Sequence, residues 1–90
     1  MSNRLYTLAY NNRGKAKYFL KDYQGAIADF IKAIEIDPKF AQAYKNRGEA
    51  KNSFGDFQAA TDDFNKVLEL EIESELKRRV DLLKVKELEY

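Results

Sequence analysis

The chain has 90 residues and a mass of 10.5 kDa, enough for one domain. Hydrophobic residues at 44% and charged residues at 34% suit a folded helical protein, and sixteen basic against fifteen acidic groups (net +1) argue against a generic electrostatic trap for nucleic acid or membrane. With no Cys and no His, a disulfide framework, a thiolate zinc site, a thiol nucleophile and the commonest general base are all excluded.

The first predicted helix carries Leu5, Leu8, Ala9, Ala16, Phe19 and Leu20 at three- and four-residue steps, which reads as its apolar face. Gly14 stands inside it at a cost of about 1 kcal/mol relative to Ala, and Gly48 repeats that feature. A costly glycine at two matching places implies close approach by a neighbouring helix. Asp22 is placed to cap a second helix with Ala26, Ile27, Phe30, Ala33 and Ile34 on its buried face. Asp37-Pro38 ends that helix and opens the next, while Gly55-Asp56 supplies the turn and cap between the third and fourth. No stretch alternates with period two for long enough to demand a strand. The chain reads as all-α.

Residues 7–40 and 41–74 align without gaps, with fourteen identities in thirty-four positions. Among them are Tyr10/Tyr44, Asn12/Asn46, Arg13/Arg47, Gly14/Gly48, Lys17/Lys51, Asp22/Asp56, Ala26/Ala60, Asp29/Asp63 and Phe30/Phe64. Tyr10, Gly14, Ala26, Phe30 and Pro38, followed by Tyr44, Gly48, Ala60 and Phe64, resemble the pattern of the tetratricopeptide repeat family. Lys17 and Lys51 stand where the family often has Tyr, and Ile72 replaces the second unit's terminal Pro. The resemblance implies a right-handed α-solenoid of two helix-turn-helix units within a single domain over residues 1–90.

Residues 75–90 break the pattern. A turn near Glu71–Glu73 with Ser74 as cap would open a fifth, C-terminal capping helix over 75–90, its Leu76, Val80 and Leu83 covering the last unit. The alternative is one uninterrupted helix, because no Gly or Pro occurs between Phe57 and Glu89. That helix would send its apolar stripe toward a second chain. A monomer is therefore expected from the first form, and a homodimer through the C-terminal helix from the second. The start of the chain has no apolar run of signal-peptide length and no stretch approaches a membrane span, so a reduced, cytoplasmic protein without membrane attachment is expected.

The resemblance also implies a ligand surface on the first helices of each unit. Carried over by position, it comprises Leu8, Asn11, Asn12, Lys15 and Tyr18, then Gln42, Lys45, Asn46, Glu49 and Asn52. The partner-binding set is Asn11, Asn12, Lys15, Tyr18, Lys45, Asn46, Glu49 and Asn52, whose amides and ammonium groups suit a peptide's backbone and carboxylates. Residues 1–21 hold five basic groups and no acid, whereas residues 57–74 hold five acids against Lys66 alone. An acidic protein or peptide partner follows from the basic first helix. The family's clamp for a terminal carboxylate is incomplete here, since its third-unit positions fall on Leu76 and Val80.

Two other classes compete. A structural or oligomerisation unit would need no ligand of its own. A nucleic-acid binder would use Arg13, Lys15, Lys17, Arg47 and Lys51, yet the acids are abundant and no nucleic-acid-binding fold signature occurs. Enzymatic function is not expected: pairs such as Asp62-Asp63 sit on a wet helix, and no Gly-rich phosphate loop or cofactor motif is present. The reading is a non-catalytic protein–protein interaction module, with no cofactor and no metal.

Overall fold

A computed structural model describes residues 3–88, all four of its elements being helices: α1 (Asn3–Phe19), α2 (Tyr23–Ile36), α3 (Ala41–Phe54) and α4 (Phe57–Leu88). Asp22 opens α2 by accepting the Gly25 backbone N–H at 3.0 Å, and Asp56 accepts that of Ala59 at 3.3 Å at the start of α4. The chain reverses through a left-handed residue before each cap. Gly55 takes it at φ 101°, and Lys21, one repeat earlier, takes it at φ 65° despite its side chain. Asp37 and Pro38 close α2: the Asp37 N–H still reaches the Ala33 carbonyl, Pro38 cannot continue the ladder, and the Tyr44 hydroxyl donates to the Pro38 carbonyl at 2.9 Å.

Helix pairs α1/α2 and α3/α4 are built alike. In the first, Gly14 lies under the Phe30 ring, so close that a Cβ would stand 2.5 Å from a ring carbon; in the second, Gly48 holds the same position under Phe64, at 2.7 Å. This is the close approach that the repeated glycines imply. Between the pairs, α2 packs on α3, with Ala26, Phe30 and Ala50 forming the buried cluster and Tyr18 and Ile27 flanking it. The stack measures 57 × 34 × 18 Å, so its core is only two helices thick.

Two expectations need correction. There is no fifth helix among the described residues: α4 runs for 32 residues through the point where a turn near 71–73 and a cap at Ser74 were expected. Glu71-Ile72 occupies the place of Asp37-Pro38, so the backbone keeps its N–H and nothing interrupts the ladder. Residues 71–85 are exposed and α4 packs on α3 alone, so this segment does not cap the stack. Its residues 89–90 lie outside the described part.

The expected apolar face of α1 is likewise not its buried face. Thr7, Asn11 and Gly14 are buried, whereas Leu5, Ala9, Ala16, Phe19 and Leu20 are exposed. The reason is position in the stack: α1 has a partner on one side only, and the side turned to α2 and α3 carries small and polar residues. For α2 the expected face holds, with Ala26, Phe30 and Ala33 buried and Ile27 and Ile34 half-buried.

Candidate functional site

The first helices of the two pairs are tied together by amides. The buried Asn46 donates its Nδ2 to Asn11 Oδ1 at 2.9 Å, and Gln42 Nε2 donates to Asn46 Oδ1 at 3.2 Å. Asn11 is as buried as Asn46, so both members of the expected binding set lie inside the α1–α3 contact. Their immediate role there is to hold the two helices in register.

Further along the same junction, Lys15, Tyr18, Asn46 and Glu49 converge with Phe19 and Phe30 around a pocket of about 120 Å³. Tyr18 and Glu49 are half-buried and Lys15 is exposed. The Tyr18 hydroxyl and Ser53 Oγ lie 3.2 Å apart, closing one end of the junction. Four of the eight expected contacts therefore meet at one place. Asn12, Lys45 and Asn52 are exposed on α1 and α3 but do not line this pocket, and neither does Asn11.

Phe19 is the residue that the sequence reading missed. Its spacing marks it as core, yet it is 76% exposed at the rim and stands edge-on to Tyr18, with ring centroids 5.6 Å apart. Its repeat mate is Ser53, and that switch from a polar to an aromatic residue was the available signal.

Four other cations of α1 and α3 are committed elsewhere. Arg13 makes two parallel hydrogen bonds to Asp29, at 2.8 and 2.7 Å, and Lys17 stands 3.1 Å from the same carboxylate. Arg47 and Lys51 hold Asp63 in the same way, at 2.9, 2.6 and 3.1 Å. Both carboxylates are buried. The hydrogen bonds from Arg13 are the main cause that holds the Asp29 carboxyl below the ordinary range; burial opposes them and Lys17 adds to them. These clasps bolt the second helix of each pair to the first. They also occupy Arg13, Lys17, Arg47 and Lys51, four of the five cations that a nucleic-acid reading needs, with Lys15 as the exposed fifth.

Arg78 and Arg79, close to the third-unit positions of a carboxylate clamp, both pair with Glu75 along α4. Among the described residues no helix is long and apolar enough to cross a membrane, and no group of three carboxylates is gathered that could hold a metal. The α1–α3 junction offers a ligand an ammonium, a carboxylate, an amide, a phenol and an exposed ring.

Compared with known protein families, residues 7–40 fit the family model described as the tetratricopeptide repeat. These are the residues of α1 from Thr7 onward, α2 and the Asp37-Pro38 turn. Members of that family are generally protein–protein interaction modules.

Proposed function

We propose that this chain, whose residues 7–40 match the tetratricopeptide repeat model, is a member of that family, that residues 7–40 and 41–74 are two such repeats of a right-handed solenoid, and that they form one domain whose work is non-catalytic association with another protein. An extended peptide segment runs over the inner face made by α1 and α3. Lys15 and Lys45 meet its carboxylates, and Asn12 and Asn52 serve its backbone amides. Tyr18 and Phe19 hold an apolar side chain beside Glu49. Asn11 and Asn46 act underneath, by fixing the spacing between the two helices. An acidic segment suits this surface, because the basic groups of α1 that are not clasped to Asp29 attract anions, increasingly so at low salt.

What supports this reading most is the pocket at which Lys15, Tyr18, Asn46 and Glu49 converge beside an exposed Phe19. A half-wet aromatic next to polar groups is the usual makeup of a contact surface rather than of a core. The test is binding of an immobilised array of acidic peptides by the wild type and by Lys15→Glu/Lys45→Glu. The variant is expected to lose at least about tenfold in affinity, roughly 1.4 kcal/mol, with its helicity kept. Equal binding by the two proteins would refute the assignment.

A further inference from the structure

Among the described residues the stack has an uncovered face at each end, and these two faces are copies of the two that meet inside it. Internally, Ala26 and Phe30 of α2 bury Ala50 of α3. One repeat further on, Ala60 of α4 is already buried, but Phe64, seated on Gly48 on one side, is open on the other: it is 37% exposed where Phe30 is 1% exposed. Leu68, mate of the half-buried Ile34, is 56% exposed on that face, and Thr61 and Ile72 continue it. At the other end, α1 repeats α3. Ala43, Asn46 and Ala50 are buried in α3, whereas their mates Ala9, Asn12 and Ala16 are exposed. These three share one side of α1 with the exposed Leu5, opposite Thr7, Asn11 and Gly14.

Nothing among the described residues covers the α4 face. The next helix of a longer stack would have to turn back near residue 72, but α4 runs straight on to Leu88. A helix with the characters of α3 fits that face, and α1 of a second copy has them. Ala16 of that copy takes the place of Ala50, against the open side of Phe64. Charge favours the same choice: apart from the clasped Arg13 and Lys17, residues 1–21 keep Arg4, Lys15 and Lys21 with no acid, and apart from the clasped Asp63, residues 57–74 keep Asp62, Glu69, Glu71 and Glu73 against Lys66.

We propose that this chain associates with itself head to tail, α1 of one copy stacking on the first half of α4 of the next and reproducing the α2–α3 contact between molecules. Such a contact uses two different surfaces and leaves each pair with one open head and one open tail. Growth is consequently open-ended. A single helix-on-helix contact is small by the standard of stable complexes, so assembly needs high concentration and low salt.

Sedimentation equilibrium from about 10 µM to about 1 mM reads this directly, a range chosen for a weak contact. The mass of the wild type is expected to climb from 10.5 kDa through that of a dimer and beyond it. A head-blocked variant, Ala9→Glu/Ala16→Glu, and a tail-blocked variant, Leu68→Glu, each stay monomeric with unchanged helicity. Mixed together they form a one-to-one pair that grows no further. Should either lose helicity, Ala16→Lys and Leu68→Lys carry the same test. A wild type that stays monomeric throughout overturns the proposal. So does a dimer that survives the α1 substitutions, because it would mean symmetric pairing of two α4 helices, and so does a mixture that never pairs.

Discussion

Asn46 donates a hydrogen bond to Asn11 across 35 positions of sequence, at 2.9 Å and buried, linking the first helix of one pair to the first helix of the other. Removing one member leaves the other's amide buried without its partner. Asn11→Leu and Asn46→Leu are therefore each expected to cost roughly 1–3 kcal/mol, and the double change Asn11→Leu/Asn46→Leu less than the sum of the two singles. Thermal unfolding of the three variants measures this. A strictly additive double variant would show that the amides do not act as a pair.

Gly14 and Gly48 are matched in sequence but not in tolerance. A Cβ at either would meet a phenylalanine ring, yet Phe30 is enclosed by α3 whereas Phe64 is open on its far side and can yield. Overpacking at Gly14→Ala is expected to cost about 1–3 kcal/mol. At Gly48→Ala the ring moves aside, and the gain in helix propensity, about 1 kcal/mol, offsets most of the strain. Denaturant unfolding of both variants checks the ranking, which equal losses would contradict.

The clasp on Asp29 has a pH signature. Its carboxyl titrates below the ordinary range in the folded chain, so the unfolded state binds the proton more readily. This contribution to stability is complete above the unfolded value, about 3.9, and is lost as the pH falls through the lower folded value. Asp29→Asn removes it. The variant is expected to be less stable at neutral pH and to show a shallower decline of stability below about pH 4. An acid slope identical to that of the wild type would assign the decline to other carboxylates.

Deleting residues 75–90 is expected to leave the unfolding midpoint of the monomer within about 0.5 kcal/mol of the full chain, since exposed positions away from packing contribute little. The segment is exposed up to Val85 and α4 packs only on α3. A sharp fall in the midpoint at dilute concentration would restore a capping role to these residues.

The 34-residue period, the helix pairs, the Asp22 cap and the close approach at Gly14 and Gly48 were all legible in the sequence. Each is written in a residue type with one main physical use. The covered side of α1 was not legible, because apolar periodicity reports where hydrophobic residues recur and not which side has a neighbour. In α1 the neighbour meets Thr7, Asn11 and Gly14, and the apolar side faces outward. The clasps were half visible: Arg13, Lys17 and Asp29 recur together as Arg47, Lys51 and Asp63, but only the fold brings positions 16 apart within 3 Å. At α4 the absence of any Gly or Pro pointed to one helix, and the expectation of a cap pointed to two; the intact backbone ladder prevailed. Of the surface residues, Lys15, Tyr18, Asn46 and Glu49 gather at one pocket, whereas the burial of Asn11 and the exposure of Phe19 depend on how closely α1 and α3 approach.

The most direct test of the binding reading is amide chemical-shift mapping of the labelled full chain, titrated with acidic peptides retained by the array. Shifts concentrated at Asn12, Lys15, Tyr18, Phe19, Lys45, Glu49 and Asn52, saturating with peptide, are the predicted result. Shifts confined to α4, or no shift at any peptide concentration, would contradict it.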